Sequence, residues 1–334
     1  MKSRRIEIGW GRRPRWIDVP GNAVEVSAPP SPPPMAWSTA VEAALLAPIG
    51  SPPLAALCQQ VRRVCVIVPD DTRKDVAGQL LPLIRPHLGA AAVTVVVASG
   101  KHPPGPAPAG GFSHDARAAD LVPVGRTAWG TEVAYPPAVL DADLRVLLGE
   151  IRPHYFAGYA GGAKLLFPGV AAEAGIWHNH RLKAAPGARL GVVDGNPCRA
   201  DMEAAAALAG PAFIVNIVRG LHGEPVFAVA GDPIAAHREG ARRAGPIFEC
   251  TAPGPVDVVL VSDRHPVTMN LYQACKLLPP AGPLLAEGGT IIVAAECADG
   301  IGPVEVINEA IYRLGSVHSL PAKHRVLLVS SQPP

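Results

Sequence analysis

The sequence predicts an α/β protein built as two α/β domains with largely parallel sheets and a cleft between them. Three observations predict it. From residue 63 onward, short β-branched runs alternate with helix-like segments, the pattern of βαβ units. With 334 residues, 49% of them hydrophobic, the chain can bury a sizeable core, and its length suits two domains better than one. A break rich in proline and glycine, Thr251-Ala-Pro-Gly-Pro255, follows a helical candidate at 234–244 that ends near Gly245-Pro246, and a fresh strand starts at 256. The division therefore falls between a larger domain, 1–252, and a smaller one, 253–334.

Taken in order, residues 5–27 alternate weakly and predict one or two short strands. The run Ala28-Pro-Pro-Ser-Pro-Pro-Pro34 predicts an extended connection, because proline fixes φ and removes a donor. A helix is expected over 38–46. The larger domain then offers strands at 64–68, 93–98, 144–149 and 212–217, and the smaller one strands at 256–262, 290–295 and 326–330. The glycines and prolines of 103–111 mark a loop. No internal repeat is present.

Composition narrows the function. With 30 basic and 28 acidic residues the formal net charge is +2, too weak a field to attract nucleic acid or a membrane surface. A small-molecule partner is expected instead. The six cysteines form no CxxC pair, and Cys65 sits in an apolar strand run, which suits a reduced, cytoplasmic protein. The N-terminus is basic but lacks the apolar stretch of a secretory signal. No run of about 18 apolar residues predicts a membrane span.

In open α/β sheets ligands bind beyond the carboxyl ends of the strands, so the residues that follow each strand carry the chemistry. After 64–68 come Pro69-Asp70-Asp71-Thr72-Arg73, and after 93–98 come Ser99-Gly100-Lys101-His102. The strand at 144–149 leads into Arg152-Pro-His154 and then, through a glycine-loosened loop, to Lys164. On spacing alone Asp70 and Asp71 read as helix N-caps. Arg73 does not, since a cation in a first turn opposes the helix dipole. Gly158, Gly161 and Gly162 permit close backbone approach, and a helix starting near Ala163 would offer unpaired N–H groups to a phosphate. Lys164 is then either a counter-charge to that phosphate or a nucleophile that holds a cofactor covalently. His178 and His180, two apart on a helix, point roughly 200° apart, so one of them faces a common site. A closed structural zinc site has no support in the spacings, whereas an imidazole completed by cofactor ligands would suit zinc, nickel or iron.

Taken together, Pro48-Ile-Gly-Ser-Pro-Pro53, Asp70-Asp-Thr-Arg73, Ser99-Gly-Lys-His102, His154 through Lys164 to Pro168-Gly169, His180, Gly195-Asn-Pro197, Tyr272-Gln-Ala-Cys-Lys276 and Asp299-Gly300 form an ordered set. It resembles the nickel-pincer lactate racemase family and its 2-hydroxyacid racemase and epimerase relatives, over roughly residues 5–305. The resemblance implies a nickel-dependent isomerase whose active site lies in the interdomain cleft. Its cofactor would be a nickel-pincer nucleotide, a pyridinium-3,5-bisthiocarboxylic acid mononucleotide, covalently bound through Lys164, with His180 as the nickel ligand. His102 and His154 would be the acid/base pair. Asp70, Thr72, Gly161 and Gly162 would contact the cofactor, and Arg73, Lys276, Gln273 and Tyr272 the substrate. Proteins of cofactor biosynthesis and a homodimeric state are implied with it.

The residue types suit that chemistry. The Cα–H of a 2-hydroxyacid is too weakly acidic to lose as a proton beside a carboxylate, so the implied route is reversible hydride transfer to the pyridinium. A histidine takes the hydroxyl proton as the hydride leaves. Return to the other face needs a second histidine, and an ordinary pKa near 6.5 keeps both protonation states within reach. The alternatives are a metal-dependent hydrolase or NAD-dependent dehydrogenase on the same scaffold, or a cofactor binder without activity. No GxGxxG follows a first strand, which counts against the dehydrogenase. The sequence departs from the family after His102, where Pro103-Pro104 follows, and at Lys74. The stretch 315–323 reads as an abbreviation of the second domain.

Overall fold

The computed structural model describes residues 2–27, 29–70, 76–108, 110–252, 254–302, 320–321 and 323–331. The chain is mixed α/β and divides into two compact units, one of Met1–Ala28, Lys183–Leu190 and Cys250–Pro334, the other of Pro29–Leu182 and Gly191–Glu249. One of these divisions falls between Glu249 and Cys250. The first 28 residues, counted with the larger domain from the sequence, group with the C-terminal segment because of what they bury. Strands β1 (Ser3–Ile8) and β2 (Arg15–Pro20) form an antiparallel hairpin. Ile8 and the following Trp10 pack on Ala294, with Ile6, Ile17 and Leu260 around them.

The larger unit is organised by β3 (Arg63–Pro69), β4 (Ala92–Ala98), β5 (Gly111–Ser113), a side hairpin of β6 (Val122–Arg126) and β7 (Glu132–Tyr135), β8 (Leu144–Glu150), the short ribbon β9 (Pro153–His154) and β10 (Gly158–Tyr159), then β11 (Ala212–Arg219) and β12 (Pro225–Gly231). The main sheet runs β12-β11-β8-β3-β4-β5. Every neighbour in it is parallel except β11 with β12. The central strands β3 and β8 are buried on both faces, which is why they read as unbroken apolar runs instead of alternating. Strand β12 escaped the sequence pattern because only five residues separate it from β11, too few for a helical crossover, so it returns antiparallel.

The core on one face of this sheet joins Val41 and Leu45 of the helix Trp37–Leu46 to Leu80 and Ile84 of the helix Val76–Ile84, over Val66, Val146 and Val215. Each such side chain, fully buried, contributes about 1.5–3 kcal/mol. The helix Ala235–Phe248 continues two residues beyond Pro246, past the end expected from Gly245-Pro246. Proline there removes one hydrogen bond in the final turn, while Ala244, Gly245 and Ile247 remain buried.

The smaller unit carries β13 (Val256–Ser262), β14 (Leu285–Ala294) and β15 (Arg325–Val329) in a parallel three-stranded sheet, in that order. Its core joins Ile291, Val293 and Val259 to Ala274, Leu278 and Ala281. Hydrogen bonds tie the hairpin into it: His265 N–H donates to Gly11 O at 2.7 Å, and Gly11 N–H to the Thr268 side chain Oγ1 at 3.1 Å. No helix among the described residues is long and apolar enough to cross a membrane.

Candidate active site

Register brings the first two strand ends together. Pro69 of β3 pairs with Ala98 of β4, so Asp70 and the turn Ser99–His102 leave the sheet side by side. Asp70 Oδ2 lies 2.8 Å from His102 Nδ1, with the carboxylate largely covered and the imidazole exposed. The turn is itself pinned, because His102 N–H donates to Ser99 O at 2.9 Å and Gly100 N–H to Gly169 O at 2.9 Å. Thr72 and Arg73, expected beside them, lie outside the described residues.

Strand β8 delivers the next segment. Past Ile151, whose N–H still donates to Ile217 O of β11 at 2.9 Å, the chain folds into the β9–β10 ribbon, where His154 stands opposite Gly158. Gly158, Gly161 and Gly162 all have positive φ, at 73°, 78° and 61°. Such a run of left-handed conformations is open to glycine and strained for other residues. Gly162–Leu165 then makes a single 3-10 turn instead of the expected helix start, and leaves Lys164 half-buried.

The glycines face packed protein. A Cβ on Gly162 would sit 2.8 Å from His237 Cγ and Cδ2, and one on Gly161 2.7 Å from Asn216 Oδ1. Gly162 N–H already donates to Asn216 Oδ1 at 2.6 Å. That N–H is therefore committed within the fold and does not offer itself to a phosphate.

Four buried polar side chains hold this turn from beneath. Asn216 of β11 also donates to Leu147 O, which ties the turn to the sheet. Asn196, the N-cap of the helix Pro197–Ala207, donates to Phe156 O at 2.8 Å. His237 Nε2–H donates to Ala160 O at 2.9 Å, and burial first, then the Arg199 charge, hold its pKa well below the usual imidazole range. Arg199, fully buried, donates to the carbonyls of Ala157, Tyr159 and Gly161.

The helix Glu173–Arg181 supplies the remaining imidazoles. As the helical spacing requires, they diverge. His178 Nε2 lies 2.9 Å from Trp129 O, whereas the His180 ring meets the edge of Phe156 with centroids 5.1 Å apart. The same Phe156 ring meets His154 at 4.6 Å, so a single aromatic separates the two imidazoles. Helix rotation is fixed by Asn179 between them, whose Nδ2 donates to Asp201 Oδ2 at 2.8 Å. Thr131 donates to the same oxygen at 2.7 Å, and Thr127 to the other at 2.5 Å. Lys101 Nζ lies 3.5 Å over the Trp177 ring, which docks the His102 turn on the helix that carries His180.

Among the described residues no group of three or more His, Cys, Asp or Glu side chains converges as a metal site. A metal held by His180 would need its other ligands from a bound group.

In the smaller unit, Tyr272, Gln273 and Lys276 gather on one turn. Asn270 Oδ1 caps it by accepting Gln273 N–H at 2.9 Å, Lys276 Nζ donates to Gln273 Oε1 at 2.5 Å, and Nζ stands 5.7 Å from the Tyr272 ring centroid. Burial pushes the Tyr272 hydroxyl pKa up. Tyr272 N–H donates to Ile301 O and Leu271 N–H to Gly300 O, so the Asp299-Gly300 turn lies alongside.

Sequence patterning did not single out Arg199, His237, Asn216 or Asp201. One signal was legible: an asparagine inside the apolar strand run Phe213-Ile-Val-Asn216-Ile-Val. A polar residue at a doubly buried strand position needs an internal partner.

Known proteins share this architecture. The family model for the lactate racemase N-terminal domain matches residues 11–107 and 111–191. The chain is 32% identical over 340 residues to lactate racemase of Thermoanaerobacterium thermosaccharolyticum, covering 92% of this chain and 77% of that protein. It is 29% identical over 289 residues to lactate racemase of Lactiplantibacillus plantarum, covering 78% and 66%. The structure superposes on the lactate racemase apoprotein from Thermoanaerobacterium thermosaccharolyticum with a TM-score of 0.86 at 29% identity, over 98% of this chain and 88% of that one. A crystallised protein from Thermotoga maritima shares the fold, with a TM-score of 0.59 at 16% identity, over 90% of this chain and 89% of that one. By family match, sequence identity and superposition, the chain belongs to the lactate racemase family.

Proposed function

We propose that this protein is a racemase or epimerase of a 2-hydroxyacid, with lactate the first substrate to test, and that it works with a nickel-pincer nucleotide. Lys164 would tether that group and His180 would ligate its metal, with Asp70, Thr72 and the 157–162 turn nearby. When bound, the group supplies an electron-poor pyridinium ring able to accept hydride from the substrate Cα. The observation that carries this reading is the placement of His154 and His180 against one Phe156 ring, in a chain of the lactate racemase family.

The chain's own groups handle the proton. Asp70 Oδ2 fixes the ring proton of His102 on Nδ1, which leaves Nε2 as the bare nitrogen that accepts the substrate hydroxyl proton. His154 is set the other way: Ala157 N–H donates to its Nδ1 at 3.3 Å, so Nε2 carries the proton and donates. At rest one ring therefore offers an acceptor and the other a donor to the substrate oxygen; inversion exchanges the two roles, and the ring that returns the proton would do so as imidazolium. Arg73 and Lys276 would hold the carboxylate, with Gln273 and Tyr272 beside it, and so keep the 2-oxoacid from escaping.

Intact mass and metal content of protein made in a host that synthesises the cofactor test the proposal. The wild type should carry a covalent adduct that Lys164→Ala lacks, His180→Ala should lose nickel while it stays folded, and the wild type should racemise one lactate enantiomer without added NAD. An unmodified wild-type chain would sink the tether, and unchanged nickel in His180→Ala the ligand assignment.

A further inference from the structure

Arg199 is among the largest fully buried side chains of the described residues, and it lies directly under the turn that joins His154 to Lys164. Its three hydrogen bonds run to alternate backbone carbonyls, those of Ala157, Tyr159 and Gly161. Glu203, one helical turn on, is taken up bidentately by Arg238 at 3.1 Å for each oxygen. The guanidinium charge is therefore met chiefly by peptide dipoles of the turn. Burial pushes its pKa down to about 10, still well above neutrality.

A buried cation is costly unless its donors are met, and an apolar side chain of similar volume would fill the same space at less cost. What only a planar fork can do is draw three carbonyls of one short segment to a single point. Gly158 and Gly161, with φ of 73° and 78°, let the chain turn those carbonyls inward. His237 draws in a fourth, that of Ala160. We propose that Arg199 is a positioning residue, whose guanidinium fixes the 157–161 turn and through it the placement of His154 on one side and Lys164 on the other.

The importance of those two side chains rests on the function proposed above, whereas the fixing of the turn does not. Hydrogen–deuterium exchange on the full chain separates the two. In Arg199→Met, amides of 157–163 should exchange about tenfold faster or more, with β8 and β11 little changed, because local opening is released while the sheet is not. Arg199→Lys should keep the charge and the fold without restoring protection, since an ammonium cannot span three divergent acceptors. Acetylation of Lys164 by a pulse of acetic anhydride, measured against Lys101, should change in both variants. In protein carrying its cofactor, kcat for lactate should fall with KM nearly unchanged.

Equal acceleration across the whole larger unit, or full protection in Arg199→Lys, would overturn the proposal. If Arg199→Met fails to fold, Arg199→Lys decides alone. Should the wild type fail to racemise lactate while the turn still loses protection in the variants, the substrate reading fails and the positioning role stands.

Discussion

Replacing Gly162 by alanine tests the packing beneath the candidate site, and Gly191→Ala provides its control. Both glycines hold positive φ, 61° and 74°, so each alanine incurs the left-handed penalty of about 1–2 kcal/mol. Each also gains about 0.4–1 kcal/mol from a stiffer unfolded chain. These contributions cancel in the comparison. The surroundings differ: a Cβ at 191 meets nothing within 4 Å, whereas one at 162 lies 2.8 Å from His237 Cγ and Cδ2. His237 cannot yield easily, being fully buried and held at 2.9 Å on Ala160 O. Overpacking of this kind costs about 1–3 kcal/mol, so Gly162→Ala should be less stable than Gly191→Ala by that amount. Urea unfolding with a shared m-value measures it, and adding His237→Ala should make the pair non-additive. Equal midpoints within about 0.5 kcal/mol would refute the claim that His237 closes the floor of the turn.

Two further outcomes follow from buried polar groups. His114 and His237 are both held neutral by burial, their pKa values lowered below the free imidazole's. Their contribution is complete above the unfolded value of about 6.5 and is lost as pH falls below it, where the unfolded chain takes up protons that the native state refuses, at up to about 1.4 kcal/mol per pH unit for each. Denaturation midpoints from pH 7.5 to 5 should decline with that slope, and His237→Asn should flatten it. Asp201→Asn turns one of two accepting oxygens, which receive Thr127, Thr131 and Asn179, into a donor. It should cost about 1–3 kcal/mol and, by loosening the helix that carries His180, reduce bound nickel. Thermal midpoint and metal analysis read the two effects, and unchanged nickel would uncouple Asp201 from the site.

Much of the fold was legible because central parallel strands are buried on both faces, and runs such as Val64–Val68 carry no other message. The candidate site was legible where it follows those strands: His102 and His154 lie just past the ends of β4 and β8, and Lys164 in the 3-10 turn beyond. The partners that hold them were not. Asp70 reads as a cap on spacing, and only the register shows it beside His102, thirty-two residues away. Arg199 and Asp201 sit in an ordinary helical stretch, Pro197–Ala207, whose composition says nothing of the carbonyls and hydroxyls waiting around them. Burial of a charge is a property of the tertiary structure, and periodicity cannot report it. Gly161 and Gly162 show the converse: the pattern marked them correctly as conformationally special but could not say that they face Asn216 and His237.

The N-terminal hairpin has a consequence for how the protein is made. Its apolar face includes Ile8 and the adjoining Trp10, yet Ala294, the surface it covers, is made more than 280 residues after them. At roughly 5–20 residues per second a ribosome needs on the order of half a minute to close that gap. The larger unit can gather its sheet in the meantime, from residues 29 to 249 with a single short interruption. The smaller unit cannot, since β1 and β15 lie on opposite sides of the larger unit in the chain. The hairpin therefore waits with its indole and isoleucine uncovered until β14 has been made.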